Sequence, residues 1–272
     1  MLSQRMGGSS ALINVMILAA EKAGKGLIRD FGEIEHLQVS RKSLGDFVST
    51  ADRRSETILI QELSKARPKF SFLVEESGEI LNEDKNNRWI IDPLDGTTNF
   101  LHGIPHFAIS IALESHGELV AGLIFNPVTD ELYWAEKGKG AFLNQRRLRV
   151  SGRRHLDEAL LAAGTPFGSR GDAKRFVNLV EKIMPVTAGL RRFGAAALDL
   201  AFVAAGRYEG YFEMNLQPWD IAAGAVLVKE AGGYIADFNG EKDFMITGDV
   251  IAGNEPIFVE LTKLICPRVP KA

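Results

Sequence analysis

Residues 89–100 read Trp89-Ile90-Ile91-Asp92-Pro93-Leu94-Asp95-Gly96-Thr97-Thr98-Asn99-Phe100, an apolar strand running straight into two carboxylates. The hydrophobic lead calls for burial, while two acids three positions apart call for water or a counter-charge. A fold that honours both must end a core strand at a charged pocket. Pro93 fixes its own φ and donates no backbone hydrogen bond, so the turn can aim Asp92, Asp95 and the Leu94 carbonyl at one point. Gly96 lets the backbone approach a ligand closely. Thr97 and Thr98 open a helical stretch whose free N–H groups and dipole favour an anion such as phosphate. Asp-Pro and Asp-Gly taken singly are ordinary turn dipeptides. Delivered together by a buried strand, the two acids are costly unless a cation neutralises them.

The 272 residues suffice for one large domain or two of ordinary size, and 46% hydrophobic with 25% charged content is that of a globular chain. A formal net charge of -3 offers nothing to a polyanion, so nucleic-acid binding is not expected. The single cysteine, Cys266, excludes an intramolecular disulfide and any multi-cysteine metal site. The apolar stretch 11–20 is interrupted by Asn14 and followed by Glu21 and Lys22. It is too short to span a membrane and lacks a signal-peptide pattern. Leu12, Val15, Met16, Ala19 and Ala23 follow helical spacing behind Ser10 as N-cap. These features predict an amphipathic first helix in a cytoplasmic protein.

The first helix is expected to reach Phe31 and stop at Gly32; a second runs from Thr50 to before Pro68 and buries Ile58, Leu59 and Leu63. A short apolar run over 70–74 ends in Glu75-Glu76, and a polar loop follows through Asn87. Strands are expected over 89–91, 108–113, 119–125, 132–135 and 140–143, punctuated by Ser115-His116-Gly117, Asn126-Pro127 and the glycines around Lys139. Beyond Val150 the pattern alternates: strands over 159–163, 208–213, 234–236 and 250–252, and helices over 173–183, 195–205, 221–231 and 256–265. The shift predicts an α+β domain over 1–148 carrying most of the acids and an α/β domain over 149–272, tightly packed because no flexible linker separates them.

The string Asp92-Pro93-Leu94-Asp95-Gly96-Thr97-Thr98-Asn99 resembles the "DPxDGTxN" hallmark of the inositol monophosphatase family. Leu73-Val74-Glu75-Glu76-Ser77 is similar to the family's "GEES" element. The segment from Gly45 through Asp46, Val48 and Thr50 to Asp52 is similar to "DxVTxxD", and Trp219-Asp220-Ile221-Ala222-Ala223-Gly224 to "WDxAxG". The match extends from the first helix to Gly253-Asn254. It implies a layered αβαβα sandwich of the inositol monophosphatase and fructose-1,6-bisphosphatase type, a homodimer, and lithium-sensitive hydrolysis of a small phosphorylated polyol or sugar.

All-oxygen ligands without histidine or cysteine favour magnesium, with manganese as a substitute, over zinc. The resemblance implies that Glu75, Asp92 and the Leu94 carbonyl hold one Mg2+ and that Asp92, Asp95 and Asp220 hold a second. A third, weaker ion would lie near Glu75, which therefore counts as both metal-binding and catalytic. Asp52, read by itself, is either a helix-capping acid or a base; the resemblance pairs it with Thr97 to activate the attacking water, with no covalent intermediate. Gly96 and Thr97 N–H groups would bind phosphate. Glu213, Asp95, Asp220 and the Gly194-Ala195-Ala196 backbone would face the alcohol. Read alone, Glu213 is equally a solvated acid and Asp220 an N-cap. Ala195 departs from the Ser or Thr common in the family, which removes a hydroxyl contact. Spacing does not settle whether Arg41 or Lys42 matches the family's basic residue.

His102 and His106, four apart with no partner cluster, are read as core or rim residues, and Arg146-Arg147-Leu148-Arg149 with Arg153-Arg154 as a solvated face. Inositol-1-phosphate is the first choice of substrate. Fructose-1,6-bisphosphate, 3′-phosphoadenosine 5′-phosphate and histidinol phosphate are alternatives that Glu213 and the loop over 165–171 would discriminate. A partner-binding regulatory role, as in bacterial relatives associated with transcription complexes, is the remaining option.

Overall fold

The computed structural model describes residues 8–34, 39–43, 46–166 and 172–266. Helix α1 (Ala11–Phe31) begins where Ser10 Oγ accepts from Ile13 N–H at 3.2 Å and ends at Gly32. A short antiparallel hairpin, β1 (Val39–Ser43) and β2 (Asp46–Ser49), leads into α2 (Thr50–Ala66). The next elements are β3 (Phe70–Val74), β4 (Gly78–Ile80), β5 (Asp84–Asp95) and α3 (Thr97–Leu101). A meander follows: β6 (Ala108–Ser115), β7 (Glu118–Asn126), β8 (Glu131–Glu136), β9 (Gly140–Leu143) and β10 (Arg146–Arg147). These strands form a sheet ordered β10-β9-β8-β7-β6-β5-β3-β4, antiparallel except where β3 runs parallel to β5.

The chain then changes sheet. β11 (Leu160–Ala163), α4 (Ala173–Ile183), β12 (Gly189–Arg191), α5 (Ala196–Ala204), β13 (Gly210–Glu213), α6 (Pro218–Glu230), β14 (Tyr234–Ala236), α7 (Phe244–Thr247), β15 (Val250–Gly253) and α8 (Glu255–Ile265) follow. The second sheet is ordered β12-β11-β13-β15-β14, with β12, β11 and β13 mutually parallel.

Three apolar cores fix the layers. α1 and α2 cover one face of the first sheet through Ile13, Met16, Ile17, Leu59 and Leu63 against Trp89, Ile91 and Ile111. α5 and α6 fill the space between the sheets, where Ala197, Leu200, Ile221 and Ala222 pack with Ile90, Ile124, Tyr211 and Ala252. α4 and α8 close the outer face through Leu179, Ile183, Ile257 and Leu261. The result is the expected αβαβα sandwich. α5 and α6 read as almost uniformly apolar because both sides of each are covered, whereas α1 and α2 carry one buried stripe.

Several boundaries differ from the sequence reading. β5 starts at Asp84, inside the expected polar loop, because its first residues sit at the sheet's end, where Asp84 Oδ1 accepts from the Asn86 and Asn87 N–H groups. α6 starts at Pro218 rather than Ile221, a proline being favoured at the first helical position. The β1–β2 hairpin, β4, β10, β12 and α7 have no counterpart in the sequence reading. Gly45 and residues 167–171, both named in the sequence reading, lie outside the described residues. No helix among the described residues is long and apolar enough to cross a membrane.

Asn254 ties the closing helix to the chain segment joining the sheets. Asn254 is 3% exposed; its Oδ1 caps α8 at Ile257 N–H (3.1 Å), and its Nδ2 donates to the Ser151 and Arg153 carbonyls at 2.9 and 2.8 Å. Replacing it with alanine removes a cap and strands two carbonyls, a loss of about 2–4 kcal/mol. Urea unfolding of Asn254→Ala should show the midpoint falling with an unchanged slope.

Candidate metal centre

The first sheet delivers its acids at one end. β5 follows its antiparallel neighbour β6 in register as far as Asp92, breaks register, and resumes at Asp95. The irregularity lies over Pro93, which has no N–H to give the ladder. Leu94 N–H instead donates to Asp92 Oδ1 at 2.9 Å. Gly96 follows with φ +88°, and a Cβ there would meet the His106 carbonyl at 3.0 Å and the Ala195 Cβ at 3.3 Å. Only a glycine takes this turn without strain. Parallel to β5, β3 ends at Val74, and Glu75 N–H donates to the Ile91 carbonyl at 3.2 Å, so Glu75 leaves the sheet beside Asp92.

The remaining acids arrive on helix N-termini. Asp52 is the third residue of α2 and completes a capping box: its Oδ2 accepts from Ser49 N–H at 2.8 Å and Ser49 Oγ at 2.6 Å. Its Oδ1 accepts from Thr97 Oγ1 at 3.1 Å, and Thr97 Oγ1 also lies 3.0 Å from the Leu94 carbonyl. One Asp52 oxygen thus serves the helix cap and the other meets Thr97. Asp220 is likewise third in α6, with Oδ2 accepting from Gln217 N–H at 2.8 Å. From opposite sides of the first sheet, α2 and α6 thus bring acids to the same edge.

Asp92, Asp95 and Asp220 meet there: one carboxylate oxygen from each lies within 4.8 Å of the others, the only such group found among the described residues. Asp92 and Asp95 are 2% and 9% exposed. Burial pushes the Asp92 carboxyl well above the ordinary carboxylate range, and the charges of Glu75, Asp95 and Asp220 push it further. Asp95 is raised by burial, then by Asp220, Glu213 and Glu75. Against this stand single backbone donors: Leu94 N–H at Asp92, and Ala197 N–H to Asp95 Oδ2 at 2.8 Å. Burial also raises Asp52, with the Ser49 and Thr97 hydrogen bonds opposing it. Hard oxygens crowded in a buried place, each destabilised by the next, fit a divalent cation of the magnesium type.

The alcohol-side candidates lie at the same edge. Glu213 ends β13 and is half-buried; Ala195 is the N-cap of α5 but offers no side-chain cap. In its place Asp95 caps α5 from another sheet. Gly194 (φ +80°) and Ala196 flank that cap. His102 is exposed and bonds only its own turn, while the His106 ring lies tilted against Phe193 with ring centroids 5.1 Å apart; neither joins the acids. The arginines at 146, 147, 149, 153 and 154 are exposed as expected, though Arg153 also pairs with buried Glu209 at 2.9 Å.

Ser55, Glu56 and Asp199 escaped the sequence reading, and Asn99 entered it only as part of a motif, without a role. Ser55 Oγ donates to the Pro93 carbonyl at 2.8 Å. Glu56, 5% exposed, accepts from Glu76 N–H at 3.0 Å and from the Ser77 hydroxyl, and so holds the turn that carries Glu75. Asn99 donates to the His106 and Phe193 carbonyls at 2.8 and 2.7 Å. Asp199, 1% exposed, has a buried Oδ1 without a hydrogen-bond partner. Its carboxyl is raised well above the usual range by burial first, then by Glu213 and Asp95. Glu56 and Ser55 sit at helical spacing from Asp52 and share its face; that spacing is the one local signal that could have found them.

Three comparisons with known proteins bear on this arrangement. The model of the inositol monophosphatase family matches residues 9–270. An inositol-1-monophosphatase of Mesorhizobium japonicum is 55% identical over 94% of this chain and 96% of its own. Nus factor SuhB of Escherichia coli is 44% identical over 96% of this chain and 93% of its own. The crystal structure of the extragenic suppressor protein suhB from Bartonella henselae superposes with a TM-score of 0.93 at 54% identity, covering 96% of this chain and all of that one. A layered αβαβα sandwich with acids gathered at one sheet edge and such relatives defines a phosphatase. The chain belongs to the inositol monophosphatase family.

The raised carboxyls have a consequence for stability. Asp52, Asp92, Asp95 and Asp199 bind protons more tightly folded than unfolded. The stability this confers is complete below the ordinary carboxylate pKa and is lost as pH rises through the raised values. Freed of divalent ions by chelator, the protein should melt at a lower temperature at about pH 8 than at about pH 5. Magnesium should remove most of that slope by binding the folded state. Asp199→Asn, unable to ionise, should flatten it without metal.

Proposed function

We propose that the protein hydrolyses phosphate monoesters of small polyols, inositol-1-phosphate foremost, with magnesium held by Glu75, Asp92, the Leu94 carbonyl, Asp95 and Asp220. The observation that carries this reading is the convergence of Asp92, Asp95 and Asp220 within 4.8 Å beside the Asp52–Thr97 hydrogen bond. Hydrolysis of such esters is among the slowest uncatalysed reactions, and enzymes accelerate it by up to about 10²¹-fold. Bound divalent ions would supply positive charge to the attacking and leaving oxygens. Two ions are the core of the proposal, and a third near Glu75 completes it.

The chain's own groups divide the remaining work. Asp52 Oδ1, aligned by Thr97 Oγ1, would take the proton of the attacking water. Its raised affinity for protons suits a base. The backbone N–H groups of Gly96 and Thr97, at the start of α3, would hold phosphate oxygens. Glu213, Asp95, Asp220 and the Gly194-Ala195-Ala196 backbone would receive the hydroxyls of the alcohol. Lithium sensitivity and a homodimer accompany this reading by kinship.

A second role is favoured by the relatives named Nus factor SuhB at 44% identity over nearly the whole chain. A protein partner of that kind would be compatible with an intact phosphatase site. Asp92→Asn separates the two, since it alters the site and leaves the outer surface unchanged.

Phosphate release should appear with inositol-1-phosphate and magnesium and vanish with chelator. Preference for a bisphosphorylated nucleoside or sugar would overturn the substrate choice. Asp92→Asn should lower kcat by roughly a thousandfold or more, because one acid would serve two ions. Near-normal turnover in that variant would refute the metal assignment. Manganese-soaked crystals should give anomalous signal beside Asp92, Asp95 and Asp220.

A further inference from the structure

Glu213 stands in an unusual relation to the strand next to it. β11 and β13 run parallel, with Ala163 opposite Phe212, and Gly164 N–H donates to the Phe212 carbonyl at 3.3 Å. One residue beyond that pair, Gly164 lies beside Glu213, the last residue of β13, which is still paired with Val250 of β15. A Cβ built on Gly164 would fall inside the Glu213 carboxyl group, with Cδ and both oxygens as its nearest atoms. The carboxylate therefore lies across the bare backbone of Gly164.

The backbone conformation does not demand a glycine there. Gly164 is outside the left-handed region that other residues avoid, unlike Gly96 and Gly194. By this test the missing side chain serves one purpose, to leave room for Glu213. On its own strand, Tyr211 holds the carboxylate from two residues away by donating its hydroxyl to Oε2. Tyr211 is wholly buried, and burial followed by the charge of Glu213 keeps its phenol protonated as a donor. A carboxylate seated on a neighbouring backbone and tied by a buried phenol is fixed before any ligand arrives.

We propose that Gly164 is a specificity-determining position: its lack of a side chain forms the slot that, with Tyr211 as a tether, presets the Glu213 carboxylate toward the hydroxyls of a polyol phosphate. This rests on the role given to Glu213 above and adds what places that residue. The ligand class it selects is a phosphomonoester whose alcohol carries free hydroxyls near the ester. An alcohol without them gains nothing from the slot. Gly164 and Tyr211 act through Glu213 and are positioning residues.

The test compares kcat/KM for inositol-1-phosphate with that for p-nitrophenyl phosphate, which has no alcohol hydroxyls, in the magnesium-loaded enzyme. Gly164→Ala should lower the ratio of the two by about tenfold to a hundredfold, the range for losing a hydrogen bond to a charged group. Most of the loss should appear as a higher KM for the polyol ester. Glu213→Ala should lower the ratio similarly, and Tyr211→Phe by a few-fold. Gly164→Ala combined with Glu213→Ala should do no worse than Glu213→Ala alone, because the added methyl then enters vacated space. If Gly164→Ala folds poorly, the double variant should regain thermal stability for the same reason. A wild-type ratio in Gly164→Ala, or full additivity in the double variant, would overturn the proposal.

Crystals of Gly164→Ala give a readout independent of turnover: the Glu213 carboxylate must leave its wild-type position. Finding it unmoved would sink the slot even in an active enzyme. A wild-type enzyme equally fast on both esters would instead sink the alcohol-side role of Glu213, and the functional half of this inference with it.

Discussion

Negative charge gathered where water is scarce is the constraint on which the structure turns. Asp92 and Asp95 come from one strand and Asp220 from a helix on the far side of the sheet, and each makes the others harder to ionise. Left to themselves such groups would swing apart or take up protons. The fold denies them the first escape. Ser55 holds the Pro93 carbonyl, Glu56 grips the turn after Glu75, Asn99 bridges two loops, and backbone N–H groups occupy one oxygen each on Asp92 and Asp95. The scaffold is thus arranged to keep a costly constellation in place, as expected of a site built to hold something of opposite charge.

Much of this could be seen in the chain before any coordinates. The first helix announced itself by the Ser10 cap and an apolar stripe, although Ile13 and Ile17 proved more deeply buried than Leu12 and Val15. Strands of the meander were marked by turn residues at both ends, and the two acids of β5 by a string that few other folds would carry. Other features lay beyond a linear reading because they depend on partners far away. Asp199 looks like any polar residue in an apolar helix; its burial, and then the approach of Glu213 and Asp95, are what raise its carboxyl. The absent cap at Ala195 reads as a defect until Asp95, 102 residues before Ala197, supplies it at the Ala197 N–H. Gly164 sits among alanine, threonine and proline with nothing to distinguish it from an ordinary loop glycine.

Shared use of atoms recurs throughout. Asp52 spends one oxygen on capping α2 and the other on Thr97, so the group that begins the helix also faces the site. Asp220 repeats the device on α6. Helix N-termini are suited to this because their exposed N–H groups need acceptors and their dipoles favour negative charge. Placing acids there satisfies the helix and fixes the acid in one step, which is why two of the candidate residues read so readily as caps when taken alone.

The middle layer has a bearing on how the molecule is made. α5 and α6 belong to the later part of the chain, yet they cover the inner face of the sheet built from the earlier part. A nascent chain that had emerged only as far as β10 would hold its first sheet bare on that side, with Glu75, Asp92 and Asp95 in reach of one another and Asp220 still to come. The inner face of that sheet stays uncovered until α5 and α6 are made, and α6 also brings Asp220, so the central core and the acidic cluster are completed by the same late segment.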